Sequence, residues 1–153
     1  MTKTLQFVAI VFTAVAMAAG WAHLLALPNK MSLSHDDYLT VQQIYRGWAL
    51  LGFVVVVALL ASAFLAVIQR RDGAVFYFTL TATLCIALSL VVFYAFTFPA
   101  NKATQNWTVL PDGGWQVLRR QWEYSHATGA VLYFFALASL TLGAITPRRS
   151  ASR

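Results

Sequence analysis

The sequence predicts an all-α protein, a four-helix up-and-down bundle that crosses a membrane, and three observations carry that prediction. Of its 153 residues 59% are hydrophobic and only 10% charged, against roughly 45–50% apolar usage in soluble domains; mean hydropathy is +0.66. Four apolar stretches each supply the roughly 20 residues that a helix needs to cross a hydrocarbon core about 30 Å thick. Those stretches use most of the chain, so residues 1–153 are expected to form a single membrane domain with the lipid bilayer as its main surroundings.

The first span is expected over about 5–27. Lys3, the apolar run and Ala16-Met17-Ala18 also fit a cleaved secretory signal. The run continues through Trp21, Leu24 and Leu27 to Pro28, however, which is long enough to span, and a retained helix is the preferred reading. In the loop that follows, Ser34 is placed to cap a helix opening on His35, Asp36 and Asp37, whose acids suit the positive end of the helix dipole. Adjacent residues on a helix diverge by about 100°, so these three do not converge on a metal. The capped helix is expected to run into the second span, about 48–68.

The turn Gln69-Arg70-Arg71-Asp72-Gly73 is short enough to make the second and third spans antiparallel neighbours. The third, about 74–98, is expected to stop at Pro99, since proline lacks a donor and restricts its predecessor. Pro111-Asp112-Gly113-Gly114 is a turn signal. Asn106-Trp107-Thr108 matches a glycosylation sequon, which means nothing in a bacterial chain. From Trp115 a helical extension leads into the fourth span, about 127–145, and Pro147 begins a solvated basic tail.

Four spans put Lys3, Arg70, Arg71, Arg148, Arg149 and Arg153 on one side with Asp72. Lys30, Arg46, Lys102, Arg119 and Arg120 lie on the other with Asp36, Asp37, Asp112 and Glu123, so the chain's +6 divides as +5 and +1. Positive-inside logic places both termini in the cytoplasm and the two long loops outside an inner membrane. The excess charge sits in short caps beside helix ends, where orientation and anionic lipid account for it, and nucleic-acid binding is not expected. Cys85 is alone and mid-span, which rules out an intramolecular disulfide and leaves a small buried hydrophobe.

Chemically capable side chains concentrate between Phe98 and His126. Trp115, Arg119, Trp122, His126 and Tyr133 fall within about 60° of one another at helical spacing and form one stripe, with Arg120 and Glu123 expected to pair on an adjoining face. At 1.5 Å per residue His126 lies about 30 Å up the last helix from Thr146, and His23 about 6 Å below Leu27 in the first. In an up-and-down bundle those helices are neighbours, so the two rings are expected to face each other. Tyr45, Trp48, Tyr94 and Thr97 are expected to complete an aromatic cup that opens outward. Aromatic residues also gather at any membrane interface, but ionisable residues inside spans are costly and tend to mark function.

Such a cup suits proton abstraction by a histidine, with Arg119 steadying the anion. Bis-histidine haem ligation through His23 and His126 is a second possibility, with Arg119 on a propionate. A metal centre of another kind lacks a third ligand. No Ser-His-Asp or Cys-His nucleophile, Gly-rich phosphate loop or paired carboxylate set is recognisable within the spans.

Phe98-Pro99-Ala100-Asn101, Trp107 and Arg119-x-x-Trp122-Glu123-x-x-His126 resemble the late-loop and fourth-helix pattern of the anthrone oxygenase-like family of small four-helix membrane proteins. The resemblance covers nearly the whole chain in topology and is specific in those segments. It implies a cofactor-independent monooxygenase, with no metal, that converts a small hydrophobic aromatic of the anthrone class by way of an electron-rich carbanion and oxygen. It carries Asn101, Trp122 and His126 across as site residues. The family's pattern often sets an Arg about one turn after the histidine, where this chain has Gly129. His23 and Arg119 join the catalytic candidates, and Trp107, Trp115, Tyr133, Tyr94, Tyr45 and Trp48 are expected to bind substrate. The alternative from another class is a non-enzymatic membrane subunit or binding protein, in which the same stripe docks a membrane partner or a second copy.

Overall fold

The computed structural model describes residues 2–111 and 113–147; Asp112 of the expected turn and Arg148–Arg153 of the expected tail lie outside the described residues. The described residues form helices and turns without a strand. α1 spans Thr2–Met31, α2 His35–Gln42, α3 Leu51–Ile68, α4 Ala74–Val92, α5 Phe98–Ala103 and α6 Trp115–Ile145, with short 3₁₀ turns at Gln43–Tyr45 and Trp48–Leu50 and a π turn at Phe93–Thr97. Four helical stretches are long and apolar enough to cross a bilayer: Thr2–Met31, Trp48–Ile68, Ala74–Ala103 and Trp115–Ile145. The chain is a multi-pass membrane protein built as a helical bundle.

α6 packs against α1 and α4, α1 against α3, and α3 against α4, which closes the ring of four. Its interior is made of small residues, Ala9, Ala16, Ala58, Ala61, Ala82 and Ala136, with Leu65, Ile86 and Leu140 between them. Phe7, Leu25, Phe53, Phe64, Leu84 and Phe135 face outward. Lipid tails are as apolar as leucine, so helices in a membrane associate through close backbone approach rather than by hiding large side chains. Gly20 shows the approach at its tightest: a Cβ there would stand 3.1 Å from the Ala130 Cα on α6.

A second cluster, Tyr38, Ala100, Trp107, Leu110, Trp115 and Trp122, roofs the end of the bundle that carries the long connections, here termed the loop end. The extension from Trp115 and the fourth span are one unbroken 31-residue helix. Ser34 caps α2 as its sequence predicts, with Oγ accepting from the Asp37 amide at 3.3 Å.

Helix ends depart from expectation at three places. α1 runs past Pro28 to Met31, and its end is tied to α6: the Arg119 guanidinium reaches the Lys30 carbonyl at 3.4 Å and, just beyond the helix, that of Leu33 at 3.0 Å. Pro99 does not stop the third span. The π turn gives Phe98 N–H a bond to the Phe93 carbonyl, and that wider turn seats the proline at the start of α5, where a missing donor costs little. α2 does not flow into the second span either; Gly47, at φ +87°, reverses the backbone between the two 3₁₀ turns.

Candidate functional site

At the loop end a cavity of about 640 Å³ lies between the four long helices. α1 contributes Ala16, Gly20 and His23; the segment entering α3 contributes Tyr45 and Trp48; α6 contributes Trp122, His126, Gly129 and Tyr133. Asn101 and Trp107 close it from the loop side, and Thr97, Leu90 and Phe93 from the α4–α5 wall. Gly129 keeps space open: a Cβ there would meet only the Tyr133 Cε2, at 3.9 Å.

The two histidines meet as their depths predict, with ring centroids 4.4 Å apart and planes inclined at 39°. His126 Nδ1 lies 2.8 Å from the Trp122 carbonyl one turn earlier. A carbonyl only accepts, so Nδ1 carries the proton and the neutral ring keeps its lone pair at Nε2. Trp122 packs on both rings, 4.0 Å from His126 and 4.9 Å from His23. Tyr45 stacks on His23 at 4.3 Å and Trp48 meets it edge-on at 5.5 Å. Burial, and after it the charge of Glu123, pushes the Tyr45 phenol up to about 12, so it holds its proton across the physiological range.

Asn101 clamps the indoles. Its Oδ1 accepts from Trp107 Nε1 at 3.0 Å and from Trp122 Nε1 at 2.8 Å. Trp107 is held in place by a backbone strained for the purpose: Gln105, Asn106 and Trp107 all have left-handed φ, at 49°, 57° and 62°, a conformation that costs non-glycine residues roughly 1–2 kcal/mol each. Asn106 N–H donates to the Asn101 carbonyl at 2.7 Å, Trp107 N–H to Thr104 Oγ1 at 3.1 Å, and Gln43 Nε2 to the Trp107 carbonyl at 2.7 Å. Three bonds at one turn offset the strain and fix the cavity wall.

Three expected site residues stand elsewhere. Arg119 is buried, but among α1's terminal carbonyls and over the rings of Trp115 and Tyr38, with Cζ 4.5 Å and 5.5 Å from their centroids; it caps a helix and does not line the cavity. Trp115 belongs to the roof, edge-on to His35 at 5.4 Å. Tyr94, on the π turn, is 64% exposed beside Phe98 and does not line the cavity. The predicted stripe therefore divides: its first turn builds the roof, and Trp122, His126 and Tyr133 reach the cavity.

Glu123 overturns another expectation. It does not pair with Arg120, which is exposed; it is fully buried and holds Lys30, with Nζ 2.7 Å from Oε2. Tyr38 Oη donates to Oε1 at 3.0 Å and Gln42 Nε2 reaches the same oxygen at 3.4 Å. Burial, then the Glu123 charge, raises the Tyr38 phenol above its ordinary range. Lys30 also donates to Tyr45 Oη at 3.2 Å and approaches His23 Nδ1 at 3.4 Å. Sequence reasoning passed over Lys30, since α1 was expected to end at Leu27, and over Tyr38 and Gln42, which lie in the helix expected after Ser34. Glu123 did carry a signal: three residues before His126 and four after Arg119, it neighbours both along the helix surface.

Iron ligated on both faces, with metal–nitrogen bonds of about 2 Å, holds its imidazole centroids roughly 6 Å apart. The 4.4 Å stacking of His23 on His126 does not fit a haem between them. Among the described residues no group of three His, Cys, Asp or Glu converges as metal ligands would. Comparison with family models, curated proteins and solved structures finds nothing that matches this chain.

Proposed function

We propose that this protein is a cofactor-independent membrane oxidoreductase that binds a small hydrophobic aromatic in the loop-end cavity and removes a proton from it with His126. The observation that carries the reading is the Nδ1–Trp122 carbonyl bond, which leaves the other nitrogen of a cavity-lining imidazole as base. Aromatic walls suit a flat ring system, and the motif resemblance to anthrone oxygenase-like proteins suggests an anthrone-type methylene with dioxygen as oxidant. In that reaction the C–H proton passes to His126 and the carbanion gives its electrons to dioxygen. The resulting hydroperoxide loses water, so one oxygen atom ends as a carbonyl and the other in water. Asn101 and Trp122 position the base, and His23 lies beside it. The basic Arg70-Arg71 turn supports an inner-membrane orientation with both termini cytoplasmic and the cavity outward.

Oxygen uptake by purified protein given anthrone tests the reaction. Removing a general base typically costs 10²–10⁴-fold, so His126→Ala is expected to lose roughly that much. Equal uptake by the two proteins would sink the proposal. Saturable binding of anthrone without any uptake would assign the cavity to a binding protein instead.

A further inference from the structure

The buried Lys30–Glu123 pair has no part in the reaction as just described, yet it reaches into the cavity through two of its lining residues. An ammonium group has three donors and no acceptor. Three acceptors surround Lys30 Nζ: Glu123 Oε2 at 2.7 Å, Tyr45 Oη at 3.2 Å and His23 Nδ1 at 3.4 Å. One acceptor thus lies within reach for each donor. To accept from Lys30, His23 must present a lone pair at Nδ1, which puts the proton of the neutral ring on Nε2. Tyr45, accepting on its oxygen, keeps its own O–H to give. Tyr38 and Gln42 donate to the other oxygen of Glu123, which favours its carboxylate form.

His126 has the opposite arrangement, with its proton on Nδ1 facing the Trp122 carbonyl. The two stacked imidazoles are therefore opposite tautomers, one presenting N–H and the other a lone pair. We propose that Lys30, anchored by Glu123, sets the polarity of the cavity, making His23 and Tyr45 donors beside the single base His126, and that the cavity thereby selects ligands bearing an aromatic hydroxyl or enol oxygen. Such an oxygen donates its hydrogen to His126 Nε2 while accepting from His23 Nε2–H. When the O–H bond breaks, the proton goes to His126 and the electron pair stays on oxygen, facing the two donors; for the enol form of an anthrone this is the same anion that loss of the C–H proton gives. Tyr45, with its phenol pushed up to about 12, remains a donor beside that anion. An ether or hydrocarbon of the same outline leaves the base without a donor and gains nothing from the arrangement. Lys30 and Glu123 are positioning residues and touch no ligand.

The inference rests on the proposed proton abstraction for its chemistry, but its test needs no turnover. Protein labelled at its histidine rings and held in nanodiscs is examined by nitrogen NMR, with His35 assigned by His35→Gln. Wild type is expected to show His23 protonated at Nε2 and His126 at Nδ1. The double variant Lys30→Met/Glu123→Gln removes both charges together, and there His23 is expected to lose its fixed tautomer while His126 keeps its own. Naphthol and its methyl ether serve as binding probes; the naphthol is expected to bind about tenfold more tightly to wild type, and equally with the ether to the double variant. Lys30→Arg, which restores a donor, is expected to recover part of the preference. Identical tautomers in wild type, an unmoved His23 in the double variant, or an ether that binds as well as naphthol would each overturn the proposal, and the first and last need no variant to fold. Naphthol preference without oxygen uptake on anthrone keeps the polarity and removes the oxygenase; uptake with identical tautomers does the reverse.

Discussion

At the residue scale the cavity depends on a few atoms that each serve two partners. Asn101 Oδ1 is one, and Asn101→Ala leaves two indole N–H groups to find water or go without. The expected cost is about 1–3 kcal/mol, read as a lower unfolding midpoint in detergent and a changed tryptophan emission, with Asn101→Asp retaining most of both; an unchanged midpoint would mean that water replaces the clamp. Tyr45 is another. Its folded phenol, near 12, lies above the ordinary value of about 10, so the unfolded chain ionises first as pH rises. Its share of stability is complete below about pH 10 and is lost progressively as pH climbs through 12. An alkaline absorbance titration is expected to show a late phenolate step that Tyr45→Phe removes, and a Tyr45 step near 10 would refute the burial argument. Individual residues were unevenly legible. His126 and His23 could be brought together from helical rise alone, because depth in a membrane is set by counting. Lys30 could not, since its partner lies 93 positions away on a face assigned to a local pair.

Helix number and order were legible because each span must satisfy its own backbone and so announces itself as a long apolar run. Helix ends were not. Pro28 and Pro99 read as stop signals, yet α1 runs on to Met31, where Arg119 holds the Lys30 carbonyl, and a π turn carries the helix through Pro99 into α5. The first is a tertiary contact and the second a change of helical pitch, neither of which leaves a local pattern. That α1 and α6 are neighbours was legible from topology, but their close approach at Gly20 was not, as one glycine among several. A Cβ at Gly20 would stand 3.1 Å from the Ala130 backbone, so the two helices must part for any side chain, and His23 lies just one turn further along α1. Gly20→Ala is expected to destabilise by about 1–3 kcal/mol, the range of overpacked sites, and Gly20→Leu by more, with loss of anthrone binding as His23 leaves His126. Full binding by a folded Gly20→Leu protein would show that the histidine contact is dispensable.

On the scale of the whole molecule, the bundle decides from which phase a ligand arrives. Gly52 on α3 and Phe98 on α5 both line the cavity and are both exposed, so an opening is expected between these helices. Gly52 lies just past Trp48 within the Trp48–Ile68 stretch that is long and apolar enough to cross a bilayer, so that opening is expected to face hydrocarbon rather than water. A flat apolar compound partitions into lipid, where its concentration far exceeds that in solution. If the cavity binds such a compound as proposed, it is expected to fill sideways from the bilayer. In proteoliposomes binding is accordingly expected to follow the mole fraction of anthrone in the membrane: adding lipid at constant total anthrone lowers occupancy, although the protein and the ligand are unchanged in amount. Gly52→Phe sets a ring in the opening, where a Cβ meets nothing within 4 Å, and is expected to slow association at least several-fold while stability stays within about 0.5 kcal/mol. Occupancy that follows the free aqueous concentration, with Gly52→Phe associating as fast as wild type, would place the entrance at the rim between Arg46 and Asn106 instead.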